Sequence, residues 1–237
     1  MRVADSLSCV PVDTSVVHGA LMTSIGTMIV TASSRGVTGI HFIDQTDLPV
    51  CVRQWCQSRS LPVPATLGSA AHTMYDGKRL AQLRVMPVID QAELWTAVVH
   101  VNDCLIPEKD LSDASDTPAH DFLGQALDEL TAYFQGTLTR FNTPLDLSCF
   151  GSPFQLKVWR AMVDIPLGQL LTYGQLALEA GLQARHVRAV GAAVGRNPIS
   201  IMIPCHRVVG HDRRLTGYSG GLHRKYALLQ LEGMRIA

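Results

Sequence analysis

Residues 199–210 constrain this chain more than any other stretch, reading Ile199-Ser200-Ile201-Met202-Ile203-Pro204-Cys205-His206-Arg207-Val208-Val209-Gly210. An apolar run of this density has to be buried, and the proline after it both ends the run and stiffens its exit. Such a segment carries a cysteine, a histidine and an arginine from the core to the rim of a pocket. A thiol attacks only as thiolate, and imidazole or cationic neighbours lower its pKa from roughly 8.5 towards neutrality. Cys205 is therefore the candidate nucleophile, with His206 beside it. On the dipeptide alone, an inert core cysteine is the commoner explanation.

Charge adds a second constraint. The chain has 237 residues, with 20 Lys and Arg against 20 Asp and Glu, yet the balance hides a split. From residue 150 onward there are 11 basic and 4 acidic side chains, and before it 9 and 16. A basic half is the electrostatic footprint of a phosphate-backbone binder, although two oppositely charged domains that match each other would give the same numbers. No apolar run approaches the roughly 18 residues of a membrane span, and no basic-then-apolar signal opens the chain, so a soluble intracellular protein is expected. The six cysteines, Cys9, Cys51, Cys56, Cys104, Cys149 and Cys205, show no disulfide-like or CxxC spacing, which suits a reducing compartment. Cys51 and Cys56 lack a second ligand pair, so no metal site is assigned.

Along the chain, residues 26–32 and 37–42 flank the turn Ser33-Ser34-Arg35-Gly36 and predict a β-hairpin, with Gly36 where positive φ is needed. Residues 44–117 carry no motif, and 110–118 read as an exposed linker. The spacing Phe122-Leu123, Ala126-Leu127, Leu130 and Phe134 predicts an amphipathic core helix ended by Gly136, to which no chemistry is assigned. Ser152-Pro153-Phe154-Gln155 predicts a capping box at the start of another helix. Residues 173–179 and 184–195 predict two short helices joined across Ala180-Gly181-Leu182, a helix-turn-helix whose second helix carries Arg185 and Arg188, with Arg196 just beyond. A glycine-rich loop, Gly217-Tyr218-Ser219-Gly220-Gly221, precedes a last helix over 222–232 that presents Leu222, Tyr226 and Leu229 on one face.

Four blocks in order closely resemble the 6-O-alkylguanine-DNA alkyltransferase family, the methylated-DNA-protein-cysteine methyltransferases. They are Gly151-Ser152-Pro153-Phe154-Gln155 with Val158-Trp159; Thr172-Tyr173-Gly174-Gln175-Leu176-Ala177; Val187-Arg188-Ala189-Val190-Gly191 through Asn197-Pro198 to Pro204-Cys205-His206-Arg207-Val208; and Gly217-Tyr218-Ser219-Gly220-Gly221-Leu222 to Glu232-Gly233. The resemblance implies an α/β N-terminal domain over 1–149, a ribonuclease-H-like fold with a small antiparallel sheet, containing the divergent segment 44–117. Over 150–237 it implies a mainly α catalytic domain with a winged-helix-like helix-turn-helix.

The activity it implies is direct reversal of 6-O-alkylguanine, and of the corresponding thymine lesion, by one irreversible transfer to Cys205 without a cofactor. His206 would act on the thiol through a water and Glu232 would orient His206, the logic of a nucleophile, a base and an orienting carboxylate. Tyr173 would serve guanine N3, the Ser219 loop the guanine oxygen, and the carbonyls of Cys205 and Val208 the exocyclic amine. Asn197 would hold the cysteine turn. The target base must leave the stack, with Arg188 entering behind it. Arg185, Arg196, Thr172 and Ala189 would lie against double-stranded DNA in the minor groove with little sequence preference. A monomer acting in the cytoplasm at the nucleoid, or in the nucleus of a eukaryote, is expected. A multiple-turnover cysteine hydrolase and a non-catalytic lesion sensor are the rival readings.

Overall fold

The computed structural model describes residues 16–45, 48, 49, 52–54, 56, 85, 86, 117–148 and 150–236. Most of the segment 44–117 lies outside them. So does most of the linker at 110–118, and so do Cys9, Cys51, Cys104 and Cys149.

Three strands, β1 (Val17–Thr23), β2 (Gly26–Ser33) and β3 (Gly36–Phe42), form an antiparallel sheet in the order β1-β2-β3. Two-residue turns join them, and Gly36 lies at φ 140° with Ser33 as its partner. A Cβ there would stand 2.3 Å from the Pro144 carbonyl oxygen, so glycine is required both by the turn and by the neighbouring chain. Alternate residues serve opposite faces, as the period of two demands. Leu21, Met28 and Val30 belong to the main core, and Ala20 and Ile29 join Ile43, Leu48, Val52 and Cys56 on the other side.

Helix α1 (Pro118–Phe134) packs Leu123, Leu127 and Leu130 into the same core as the first of these faces. It approaches closely at Gly19, where a Cβ would stand 3.2 Å from both Leu123 and Leu127. The helix begins earlier than its apolar spacing suggested, with Pro118 at its first turn, because Ala119 to Asp121 precede the repeating pattern. It ends as expected, with Gly136 at φ 71°.

Strand β3 reaches directly into the C-terminal half. The Ile40 amide donates to the Pro198 carbonyl at 3.0 Å and the Ser200 amide to the Ile40 carbonyl at 3.2 Å. Further along, the Val37 amide donates to the Pro144 carbonyl and the Asp146 amide to the Val37 carbonyl, each at 2.8 Å. The β3 edge of the sheet is thus covered by two segments, 144–146 and 198–200, the second of which leads into the cysteine turn.

Helix α2 (Pro153–Val163) starts on the predicted capping box: the Gln155 amide donates to Ser152 Oγ at 3.3 Å and the Ser152 amide to Gln155 Oε1 at 2.8 Å. Its Trp159 donates from Nε1 to the Ala193 carbonyl at 2.8 Å, fixing α2 on the helix-turn-helix. That unit comprises α3 (Tyr173–Glu179), a turn with Gly181 at φ 68°, a short 3-10 turn (Ala184–His186) and α4 (Val187–Gly195). β4 (Leu171–Thr172) runs parallel to β5 (Val208–Val209), which follows the cysteine motif. The last helix, α5 (Leu222–Leu231), sets Leu222, Tyr226 and Leu229 against Val209, Leu215 and Met234. The final strand (Arg235–Ile236) pairs with Val85–Met86.

Candidate active site

The apolar run does not continue as a strand up to the cysteine. The Met202 amide donates to the Ser200 carbonyl at 2.9 Å around Ile201, which sits at φ 73°. A β-branched residue at positive φ is strained, and this γ-turn is held because Ile201 is fully buried. A second tight turn follows: Pro204, at φ −80° and ψ 64°, lets the Cys205 amide donate to the Ile203 carbonyl at 2.8 Å. Cys205, His206 and Arg207 then form one 3-10 turn and are all buried.

Asn197 ties this turn together. Its Nδ2 donates to the Ile203 carbonyl at 2.7 Å and to Cys205 Sγ at 3.1 Å, and its Oδ1 accepts from the Ile199 amide at 3.0 Å. The thiol is only 3% exposed. Burial pushes its pKa up, opposed by the Asn197 hydrogen bond and the Lys225 charge. The expected fall towards neutrality is therefore corrected: desolvation of a thiolate outweighs the favourable neighbours, and the resting sulfur keeps its proton. A base has to take that proton when the reacting partner arrives.

His206 follows Cys205 in the same turn. Its Nε2 lies 2.7 Å from Glu232 Oε1, and since a carboxylate only accepts, Nε2 is the protonated nitrogen. Nδ1 is buried and has no hydrogen-bond partner among the described residues, which leaves a lone pair directed into the protein. Burial lowers the His206 pKa against the pull of Glu232, with Arg207 and Lys225 adding to the fall, so the ring is neutral and basic at Nδ1. Glu232 accepts in addition from Arg207 Nε at 2.8 Å, Arg207 Nη2 at 2.8 Å and the Tyr133 hydroxyl at 2.8 Å. Burial alone would raise the Glu232 carboxyl, but His206 and Arg207 bring it down to about 2. Its charge is permanent at any working pH.

Lys225 is fully buried on α5 and donates to the carbonyls of Val208 and Thr216, the latter at 2.8 Å. Burial lowers its pKa to about 8, against the attraction of the cysteine sulfur. Val208, expected to offer its carbonyl to a ligand, therefore already has one cationic donor. Tyr173 opens α3, its hydroxyl accepts from Thr216 Oγ1 at 3.3 Å, and burial raises its pKa. A cleft of about 400 Å³ lies at Tyr173, bordered by Thr172, Val187, Gly191, His211 and Thr216. Ser219 is half-buried in the loop before α5. Arg185, Arg188, Ala189 and Arg196 are all exposed on and beside α4, whose residue Val187 lines the cleft, while Thr172 is half-buried.

The fold thus brings Cys205, His206, Glu232 and Asn197 into one buried cluster and leaves Arg185, Arg188, Ala189 and Arg196 outside it. Sequence reasoning missed Arg207, Lys225 and Tyr133. Lys225 had a signal, since it falls three residues after Leu222 and four before Leu229, a charge at a core position of the last helix. Tyr133 was not among the core positions of α1 read from the sequence, and nothing local announced a carboxylate at its hydroxyl.

Comparison with known proteins places these features in context. The model of the 6-O-methylguanine DNA methyltransferase DNA-binding domain matches residues 153–234, and that of the ribonuclease-like domain matches residues 89–147. The second match extends into 44–117, so part of the segment in which no motif was read does match the family. The methylated-DNA–protein-cysteine methyltransferase of Mycobacterium bovis is 49% identical over 119 residues, half of this chain and 70% of that protein. The enzyme of the same description from Salmonella typhimurium is 51% identical over 110 residues, 46% of this chain and 63% of that protein. The crystal structure of Mycobacterium tuberculosis O6-methylguanine methyltransferase is 30% identical, covers 92% of both chains and superposes with a TM-score of 0.56. The structure of the OGT protein of that organism in complex with DNA is also 30% identical, with a TM-score of 0.58 over 91% of this chain and 92% of that one.

Proposed function

This chain belongs to the methylated-DNA–protein-cysteine methyltransferase family, and from that premise we propose that it repairs DNA by taking the alkyl group of 6-O-alkylguanine, and of 4-O-alkylthymine, onto Cys205. The observation that carries the reading is the buried row Cys205, His206 and Glu232, with His206 Nε2 held 2.7 Å from the carboxylate and Nδ1 left without a partner.

The chemistry follows from the protonation states. His206 takes the thiol proton at Nδ1, directly or through a water, and the imidazolium so formed is stabilised by Glu232. The thiolate attacks the alkyl carbon, forming the S–C bond as the C–O bond to guanine breaks. The bonding electron pair leaves with the base oxygen, and the base regains one proton, so the products are a thioether and an unmodified guanine. The Tyr173 hydroxyl assists by donating towards the ring nitrogen N3, and the Ser219 loop and the Cys205 and Val208 carbonyls hold the base. A thioether has no easy leaving path, so each molecule acts once. No cofactor is required for a direct displacement.

Access to the carbon requires the base to leave the duplex, at a cost of a few kcal/mol that is lower for a poorly paired lesion. Arg188 fills the space in the stack, and Arg185, Arg196, Thr172 and Ala189 track the backbone in the minor groove without reading sequence. The small side chains of α4, Ala189, Gly191 and Ala192, suit close approach to a narrow groove. We place the domain boundary between residues 149 and 150. One chain supplies the whole cluster, which suits a monomer acting wherever the DNA lies, in the cytoplasm at the nucleoid or in a nucleus. No helix among the described residues is long and apolar enough to cross a membrane.

The test is intact-protein mass after mixing with excess duplex carrying one 6-O-methylguanine, alongside Cys205→Ser. We expect a gain of one methylene equivalent, located on Cys205 and stopping at one per molecule, and no gain in the variant. Repeated release of product would mean a hydrolase, and tight binding without mass gain would mean a sensor.

A further inference from the structure

The Glu232 carboxylate draws its partners from both halves of the molecule. His206 and Arg207 come from the cysteine turn, but the fourth hydrogen bond comes from Tyr133, near the end of α1, 99 residues away in sequence. Tyr133 is only 2% exposed, and its ring is fixed edge-on to Phe134 at 5.4 Å and tilted against Phe141 at 5.5 Å. A hydroxyl anchored in this way has one orientation, and it donates at 2.8 Å to Oε1, the oxygen that His206 Nε2 also uses.

We infer that Tyr133 is a positioning residue for the alkyl-transfer centre, a phenol supplied by the N-terminal half that sets how strongly Glu232 pulls on His206. The argument rests on the proposed role of His206 as base. A carboxylate oxygen shared among three donors offers less electron density to each of them than one shared between two. The tyrosine therefore tempers the Glu232–His206 bond and keeps the imidazole from becoming too basic to release its proton to the departing base. It also fixes where Oε1 lies, and so where the lone pair of His206 Nδ1 points. Other charged or titratable groups facing this pair are Arg207 in the turn, Lys225 on α5, the Cys205 thiol and the Tyr218 phenol. Arg207 and Lys225 act on His206 as cations, and of the two phenols only Tyr133 is hydrogen-bonded to the carboxylate. A C-terminal half lacking α1 would keep the nucleophile, base and carboxylate but lose this donor.

The test uses the full chain and two variants. Tyr133→Phe removes the hydroxyl and keeps the ring, whereas Phe141→Leu loosens the packing around the ring and keeps the hydroxyl. The first readout is the side-chain nitrogen chemical shifts of His206 measured across pH, which need no DNA. The second is the single-turnover rate of methyl transfer from duplex 6-O-methylguanine as a function of pH. In Tyr133→Phe we expect the His206 nitrogen signals to move towards those of a more strongly hydrogen-bonded ring. The acid limb of the rate profile should shift to higher pH, and the plateau rate should fall by about threefold to tenfold. Phe141→Leu should lower stability and leave the nitrogen shifts and the acid limb in place. Unchanged His206 signals in Tyr133→Phe, or the same displacement in Phe141→Leu, would overturn the inference. Failure of the wild-type chain to transfer methyl would overturn the functional reading instead, while the nitrogen shifts would still decide whether Tyr133 acts on His206.

Discussion

At the scale of single residues, the reactivity of Cys205 is the outcome of a contest that burial wins in the resting protein. Asn197 is the one side chain that both touches the sulfur and shapes the turn carrying it. Replacing it by alanine in Asn197→Ala removes a donor to Sγ, a donor to the Ile203 carbonyl and the acceptor of the Ile199 amide. The first loss leaves the thiolate with one fewer stabilising contact, so the thiol pKa should rise further. The last leaves the buried Ile199 amide unpaired, at about 1–3 kcal/mol, while the Ile203 carbonyl keeps the Cys205 amide as its donor. We expect the midpoint for alkylation of Cys205 by a small electrophile to move to higher pH. In parallel, denaturant titration should report a loss of about 2 kcal/mol. A midpoint that stays in place while stability falls would confine Asn197 to a structural role.

At the scale of elements, α2 shows how a short local code fixes a helix that the site depends on, since its Trp159 locks α4 in place. Ser152→Ala removes one half of the capping box and should cost about 1 kcal/mol, a fall in Tm of roughly 2–4 °C for a chain of this size. Gly151→Ala should cost more. Gly151 lies at φ 75°, and a Cβ there would stand 2.6 Å from the Trp159 ring, so strain and a clash with a buried indole add together. Thermal melts of the two variants test the order, and equal shifts would mean that the Trp159 ring moves aside at no cost. The Ser152 to Gln155 cap was legible because it is local, whereas the same pattern from Thr172 to Gln175 was not read as a cap. The hairpin and the last helix were legible for the same reason. The start of α1 was not, because its first turn carries no apolar spacing and only Thr117-Pro118 marked it. Pairing of Ile40 with 198–200 could not be read at all, because it joins positions about 160 apart and depends on the sheet edge that folding creates. The candidate site divides along the same line. Cys205 and His206 were evident from adjacency and Glu232 from its motif, while Tyr133 at the carboxylate exists only once α1 has docked.

At the scale of the whole molecule, the two halves share one core: Leu21 and Val30 of the sheet belong to the same buried cluster as Trp159, Ile203 and Cys205. Arg224 adds a polar tie. It donates to the Ile25 carbonyl at 2.6 Å, the Gly220 carbonyl at 2.8 Å and Asp44 at 2.8 Å, and lies 4.2 Å from the centre of the Phe42 ring. The loop that carries Ser219 is thereby held to the sheet, and the halves should unfold together. Acid acts on this unit in two steps. His41 is buried on β3, and burial lowers its pKa from 6.5 to about 4. Between those values the unfolded chain binds a proton that the folded chain refuses, so stability falls as pH drops, by roughly 3 kcal/mol in all. His206, also lowered by burial, adds a loss of the same sign. Glu232, lowered from 4.5 to about 2, contributes stability that is complete above 4.5 and is lost as pH falls towards 2. The first step can be isolated with His41→Gln, which keeps a polar partner for Gln45 and cannot titrate. Urea titrations at about pH 7 and about pH 4.5 should show the wild-type chain losing roughly 2–3 kcal/mol more than the variant over that interval. An equal loss in both would mean that His41 takes up its proton in the folded state, and the acid sensitivity would then rest on other groups, among them His206, Glu232 and Asp146.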